Sequence, residues 1–174
     1  MSAAIPPAVA IATALLAPDP DGHWTEHLSG AALKASQLVV LIVLAGLVAR
    51  RRRRRLPILV LAALGFVGVG IALQAFGDLE VANSIWGTTG DPGFGDGEGY
   101  EAGHDTSALG DLLVLLGGLA FAVAAGSTRL VRPAYAVVAG LLAVIPPPFL
   151  WPAVGVMFVL LHELTSTRAS DAQR

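Results

Sequence analysis

The sequence contains no cysteine, which excludes disulfide bonds, thiolate metal sites and thiol-based catalysis. Charge is also scarce: charged residues make up 14% of the chain, whereas a soluble domain typically carries about 25%. Hydrophobic residues make up 55%, and the mean hydropathy is +0.69. Too few polar residues remain to cover a water-facing surface, so the composition predicts an integral membrane protein.

Catalytic and nucleotide-binding patterns are absent as well. The sequence has no nucleophile–base arrangement and no phosphate loop, and the glycines at 93, 95 and 97 lack the flanking strand and helix of a dinucleotide fingerprint. It has no basic surface with interleaved aromatic residues, so nucleic acid is not an expected partner. The sequence does not decide whether the chain is an enzyme; it favours no activity on its own, and leaves open a place in a membrane oxidoreductase complex.

Three uninterrupted apolar blocks span about 31–49, 57–76 and 109–127. Each has roughly the 20 residues that a helix needs to cross a hydrocarbon core about 30 Å thick. We therefore predict an all-α integral membrane protein, a small bundle of about four transmembrane helices in domain 31–164.

The fourth block, 134–164, is longer than one crossing requires and is interrupted by Pro146-Pro147-Pro148. Proline removes a backbone donor and breaks a helix. We interpret the block as a single crossing broken at the prolines, which would bring His162 to the outer side. The alternative is a helical hairpin that returns the C-terminus to the cytoplasm.

The remaining segments are assigned by composition. Residues 1–30 begin with a short apolar stretch, and we predict an outer-face segment with a short interfacial helix; an additional crossing is the alternative. Residues 77–108 contain many acids and no basic residue, which predicts an acidic outer loop or a docking surface for a basic partner. Residues 165–174 form a C-terminal tail.

Charge predicts the orientation. Arg50–Arg55 follow the first block, and Arg129 and Arg132 follow the third, at equivalent helix ends. The positive-inside rule assigns these ends to the cytoplasm and the loop 77–108 to the other side. Arginine outnumbers lysine ten to one, a bias that we associate with bacteria, so the expected location is the bacterial plasma membrane. An anionic-lipid site is the other interpretation of the arginine run, but the loop is short and topology explains it.

The histidines suggest a metal site. His23 and His27 are four residues apart and share one face of a helix, and His104 lies before the third block on the same side of the membrane. Imidazoles at this spacing suit copper or zinc. We predict a site formed by His23, His27 and His104, with Glu26 or Asp105 as a further ligand or as a support for the rings. The alternative is that these histidines are ordinary polar anchors at the interface.

Ionisable residues also lie inside the membrane segments. Lys34 is in the first turns of the first block, Asp78 follows the second and Asp111 opens the third. Such groups are expensive in a membrane and are usually paired or functional. We predict a buried ion pair between Lys34 and Asp111, with Asp78 as the alternative partner. The other ends of the helices are almost purely apolar, which argues against a channel or transporter working alone.

These features favour a non-catalytic accessory subunit of a larger bacterial membrane complex, of respiratory or membrane metallo-oxygenase type. Its partners would be other integral membrane subunits and lipid. The alternative is an outer-face membrane protein that binds copper or zinc through its histidines, and the sequence requires no cofactor beyond this.

Overall fold

The computed structural model describes residues 23–51, 56–86, 97–128, 130–144 and 151–171, and all regular structure in these ranges is helical. Within them the side chains of 26–51, 56–85, 98–128, 130–143 and 152–165 are described. The helices are α1 (His23–Arg51), α2 (Ile58–Trp86), α3 (Gly97–Ser127), α4 (Pro133–Val144) and α5 (Trp151–Asp171). The predicted N-terminal interfacial helix lies outside the described residues.

Three helices are long and apolar enough to cross a membrane, over Glu26–Arg51, Ile58–Ile85 and Glu98–Ser127. The chain is therefore a helical membrane protein. Each span is roughly 39–45 Å long at 1.5 Å per residue, which exceeds a hydrocarbon core of about 30 Å.

The extra length lies at the polar ends of these helices. α1 begins at His23 rather than at 31, α2 continues to Trp86 rather than 76, and α3 begins at Gly97 rather than 109. Much of the predicted loop 77–108 is thus helical. The helices continue beyond the apolar runs because one face of each helix still packs inside the protein there. Val81 and Ala82 of α2, for example, are buried.

Two prolines and a terminal hydrogen bond define helix ends in the arginine-bearing part of the chain. The Pro57 carbonyl accepts the N–H of Val60 at 2.9 Å where α2 begins, and Pro133 is the first residue of α4. Proline suits this position because its missing N–H has no helical partner there. At the end of α3, the Leu130 N–H donates to the Ala125 carbonyl at 2.9 Å, which closes the helix.

The chain divides into two compact units by its internal contacts. We call the first the acidic unit; it comprises Met1–Leu38 and Gly70–Asp111. The second, the basic unit, comprises Val39–Val69 and Leu112–Arg174. Each of the three long helices contributes a segment to both units, whereas α4 and α5 belong entirely to the basic unit.

Glycines bring α2 and α3 into backbone contact in the acidic unit. A Cβ atom on Gly103 would lie 2.8 Å from the Gly77 carbonyl oxygen and 2.9 Å from the Val81 nitrogen. Two turns further along α3, a Cβ atom on Gly110 would lie 2.7 Å from the Gly70 carbonyl oxygen. Helices in lipid gain little from the hydrophobic effect, so such close approach is a main source of their association.

The same principle operates in the basic unit. A Cβ atom on Gly117 would lie 2.8 Å from the Val67 nitrogen on α2, and one on Gly118 would lie 2.9 Å from Pro152 Cβ on α5. Phe121, on the next turn of α3, is fully buried. α3 is therefore the central helix of this unit, with α2 on one side and α5 on another.

α4 and α5 form an antiparallel hairpin. The Tyr135 ring near the start of α4 contacts the His162 ring near the end of the apolar part of α5, with centroids 3.8 Å apart. Towards the other end of α4, a Cβ atom on Gly155 would lie 3.3 Å from Leu142 Cβ. The Arg51 guanidinium at the end of α1 donates a hydrogen bond to the Leu164 carbonyl, which holds the returning helix.

The two halves of 134–164 therefore pack antiparallel, as in the hairpin alternative, rather than following one another through a single crossing. α4 has only 12 residues, about 18 Å of helix, which is too short for a 30 Å core. His162 lies at the end of the hairpin where α4 begins, against Tyr135. Pro146-Pro147-Pro148 lie outside the described residues, between α4 and α5.

Candidate functional site

An ion pair joins α1 to α2 in the acidic unit. The Lys34 ammonium lies 2.8 Å from Asp78 Oδ2, and the two side chains are 18% and 13% exposed. Gly30 precedes Lys34 by one turn of α1, and a Cβ atom there would lie 2.5 Å from the same carboxylate oxygen. The glycine thus leaves the space into which Asp78 reaches.

A hydrogen bond joins α2 to α3 one turn away from this pair. Gln74 is 1% exposed, and its side-chain amide donates to the Asp111 carboxylate. The structure therefore brings Lys34 to Asp78, the alternative partner, and gives Asp111 an amide donor instead of a direct ion pair. Gln74 and Asp78 lie on one face of α2, so that face fastens both neighbouring helices.

Two of the predicted metal-site histidines are neighbours. The His27 ring on α1 and the His104 ring on α3 have centroids 6.1 Å apart and planes at 87°. The Tyr100 ring packs on His104 from the preceding turn of α3, with centroids 4.5 Å apart. Charged groups near His27 include Asp78, the acid of the ion pair.

The remaining members of the predicted metal site are not assembled around this pair. Glu26 and Asp105 are exposed, and the His23 side chain lies outside the described residues although its backbone opens α1. Among the side chains that the structure describes, no group of three or more histidines and acids could hold a metal ion. The three-histidine site stays a prediction, of which the structure brings two members together.

Two imidazoles are nevertheless close to a ligating distance. Rings that share a zinc ion at 2.0–2.1 Å have centroids roughly 5 Å apart by simple geometry. The observed 6.1 Å between His27 and His104 is therefore within about 1 Å of the separation required.

An acidic stripe lies on the first turns of α3. Glu98, Glu101 and Asp105 are all exposed, and their spacing of three and four residues puts them on one helix face. Exposed Leu109 and Leu112 continue the same face further along the helix. The sequence shows the acids but not their alignment, because an acidic, glycine-rich stretch between two apolar blocks predicts a loop.

A second aromatic cluster lies in the basic unit, and sequence reasoning missed it. Tyr135 contacts His162, and its ring centroid also lies 6.3 Å from that of Phe158 on the preceding turn of α5. Phe158 and His162 are four residues apart, so their shared face was visible in the sequence, but the contact with Tyr135 depends on the hairpin.

Comparisons of the chain with protein-family models, with curated proteins and with solved structures find no match. Its function is therefore inferred from the geometry of the described residues.

Proposed function

We propose that the chain is a non-catalytic, structural subunit of a larger bacterial membrane complex. The observation that supports this most directly is how its intramembrane polar groups are used. Lys34 is engaged by Asp78, and Asp111 by Gln74, and each of these two interactions fastens one helix to another. This use of the two polar pairs supports a structural role for them.

For orientation, we propose that Arg50–Arg55 and Arg132 face the cytoplasm and that the acidic stripe faces the opposite side of the plasma membrane. The charge distribution supports this, since basic residues accumulate at cytoplasmic helix ends. Three crossings and a hairpin that enters from the cytoplasmic side then account for all the described helices.

The acidic stripe is the surface that we propose for a partner subunit. Glu98, Glu101 and Asp105 are exposed and aligned, and the exposed leucines next to them offer apolar contact to a neighbouring helix. A basic segment of another integral membrane subunit would complement both features. Respiratory complexes and membrane metallo-oxygenases are the two classes of host that we propose.

The test is purification of the tagged chain in a mild detergent, followed by size-exclusion chromatography and mass spectrometry. We expect the chain to elute with other membrane proteins at a fixed stoichiometry. Removing the stripe with Glu98→Gln, Glu101→Gln and Asp105→Asn should lower the partner yield severalfold. Glu26→Gln, which neutralises an exposed acid on α1, is the control. A chain that elutes alone, or equal losses in both variants, would contradict the proposal.

A second candidate function is capture of copper or zinc at the outer face. The edge contact between His27 and His104 supports it, because the two rings come from different helices and converge within about 1 Å of a ligating separation. The backbone position of His23, one turn before His27 on α1, makes it the third ligand that we propose. Glu26 and Asp105 would then hold the outward ring nitrogens.

Metal retention tests this candidate without any partner. The chain is purified alone, loaded with Zn²⁺ or Cu²⁺, desalted and analysed for bound metal. His27→Ala and His104→Ala should each lose most of the metal, whereas His162→Ala in the basic unit should keep it. Equal retention by all three variants, or none by the parent chain, would refute a histidine site and leave the subunit proposal unaffected.

A further inference from the structure

The acidic unit has a single side chain of the kind that stays positively charged at neutral pH. Of the lysines and arginines of the chain, only Lys34 lies within Met1–Leu38 and Gly70–Asp111. All the aspartates and glutamates except Glu163 and Asp171 lie within the same segments. An acid buried in this unit therefore has one lysine to compete for and no arginine.

Asp78 already occupies that lysine. The Lys34 ammonium lies 2.8 Å from Asp78 Oδ2, and both side chains are largely buried. Asp111 is half-buried on α3, and its contact from α2 is the uncharged amide of Gln74, which is 1% exposed. Lys34 on α1 and Asp78 on α2 are the charged groups that act on Asp111, and their charges cancel each other. With both carboxylates ionised, this three-charge cluster of Lys34, Asp78 and Asp111 has one negative charge in excess.

The histidines of the unit lie too far along their helices to supply the missing positive charge. On α1, His27 precedes Lys34 by seven residues, and His23 lies one turn further away. On α3, His104 precedes Asp111 by seven residues. Seven residues of helix are about 10 Å long, so these side chains start two turns or more away from the cluster. Neutralising the cluster therefore requires a bound proton or a cation from outside the unit.

A proton fits the cluster better than a metal cation. Hard cations take several oxygen ligands, and among the described side chains no group of three or more histidines and acids could hold a metal ion. The nearby Lys34 ammonium also repels a cation. A proton needs a single oxygen: the Gln74 amide donates to Asp111 Oδ1, which leaves Oδ2 to carry the proton.

We propose that Asp111 binds one proton and that the three-charge cluster is neutral in this form. When two carboxylates share one counter-charge in a medium of low dielectric constant, one of them takes up a proton. Asp111 is that acid, because Asp78 holds the lysine and Asp111 is contacted by an amide. It also lies two residues inside the apolar block 109–127, where an unpaired ion is costly and a neutral acid is much less so. The site is separate from the histidine pair and requires no partner subunit.

Infrared spectroscopy of the purified full chain in detergent micelles tests this proposal. A protonated carboxyl group has a C=O stretching band that an ionised carboxylate lacks. At neutral pH we expect the parent chain to show this band and Asp111→Asn to lose it. Asp105→Asn, which removes an exposed acid from the same helix, should keep it. Glu163, buried in the basic unit, is present in every variant and cancels in the difference spectra.

Two variants of Lys34 test the charge balance of the cluster. Lys34→Met leaves both acids without a lysine, so Asp78 should also take up a proton and the band should become about twice as strong. Lys34→Arg keeps the positive charge and should keep the band of the parent chain. A purely structural role for the Gln74–Asp111 hydrogen bond, with the acid ionised, predicts no such band in the parent chain.

Carbon-13 labelling of the aspartate carboxyl groups assigns the band in the unaltered chain, whether or not the variants fold. We expect the labelled band to move to lower frequency. A parent chain without the band, a band that does not move with the label, or equal spectra for the parent chain and Asp111→Asn would overturn the proposal. Bound sodium in a chain without the band would identify a cation as the neutralising ligand instead.

Discussion

Removing one member of the Lys34–Asp78 pair should destabilise the protein as much as removing both. The two side chains are 18% and 13% exposed, so each charge is largely withdrawn from water and relies on the other. Breaking a fully buried pair typically costs about 3–5 kcal/mol, and an unpaired charge in a membrane about 2.5–3.5 kcal/mol. Partial exposure lowers both figures, so we expect about 2 kcal/mol for Lys34→Met or Asp78→Asn alone.

The double variant should cost no more than either single change, because neither charge is then left without a partner. The coupling free energy is therefore expected to be about 2 kcal/mol, well above the 0.3–0.5 kcal/mol within which independent sites add. The measurement is reversible unfolding in mixed micelles of increasing dodecyl sulfate content, followed by far-ultraviolet circular dichroism. Asp105→Asn, an exposed acid on α3, is the control and should change the free energy of unfolding by less than about 0.5 kcal/mol. Strictly additive losses would refute the pairing.

Three further outcomes are expected. Gly30→Ala should cost about 1–2 kcal/mol, because its Cβ atom would lie 2.5 Å from the carboxylate of the ion pair, and the loss should disappear when that aspartate is replaced by alanine. Gly103→Ala should cost more, about 2–3 kcal/mol, because its Cβ atom would meet backbone atoms of α2 that cannot move aside. Gly46→Ala is the control, since no described atom lies within 4 Å of its Cβ position. Unfolding in the same micelles measures all three glycine variants. Single cysteines at Thr165 and Glu101 should label from opposite sides of the membrane with an impermeant thiol reagent, because the hairpin returns α5 to the arginine-bearing side; labelling from the same side would contradict it.

The sequence was sufficient to predict the three long helices, because long apolar runs have few other stable arrangements in a membrane. It did not predict where they end. Polar residues such as Asp78 and His104 interrupt the apolar pattern, yet they lie within helices whose buried faces continue on either side of them. Hydropathy marks the part of a helix that lies in hydrocarbon, and the helix itself ends where its backbone hydrogen bonds end.

The fourth apolar block shows why tertiary contacts are needed. Its 31 residues and its prolines were compatible with either a broken crossing or a hairpin. What distinguishes them is the contact of Tyr135 with His162, and no local pattern encodes it. Predicting it requires the hairpin to be assumed first.

The sequence predicted which residues belong to the candidate site better than it predicted which of them pair with each other. Sequence placed Lys34, Asp78 and Asp111 at similar depth, but the choice of partner depends on how α1, α2 and α3 are rotated about their axes. Gly30 decides it locally, because its missing side chain opens the path from Asp78 to Lys34. Likewise, the sequence put His27 and His104 on one side of the membrane, and helix packing made them neighbours.

The two units are stabilised by different means, and the difference bears on function. The basic unit relies on small residues such as Gly117, Gly118 and Gly155, which bring neighbouring helices close together. The acidic unit adds the Lys34–Asp78 pair and the Gln74–Asp111 hydrogen bond to its glycine contacts. Charged groups are affordable near a helix end, where a lysine can extend towards the headgroups, and much less so at the bilayer centre.

The glycine contacts and the polar interactions of the acidic unit together hold the segment of α3 that carries the acidic stripe. Gly103 lies between Glu101 and Asp105, so the turn that presents these acids is also the turn in backbone contact with α2. A partner that docks on the stripe therefore meets a helix that is already fixed, and little conformational entropy is lost on binding. Loosening that contact with Gly103→Ala should weaken partner binding even though all three acids remain, whereas Gly46→Ala should leave it unchanged. Equal partner yield from the two glycine variants would mean that rigidity of this turn is not what the partner requires.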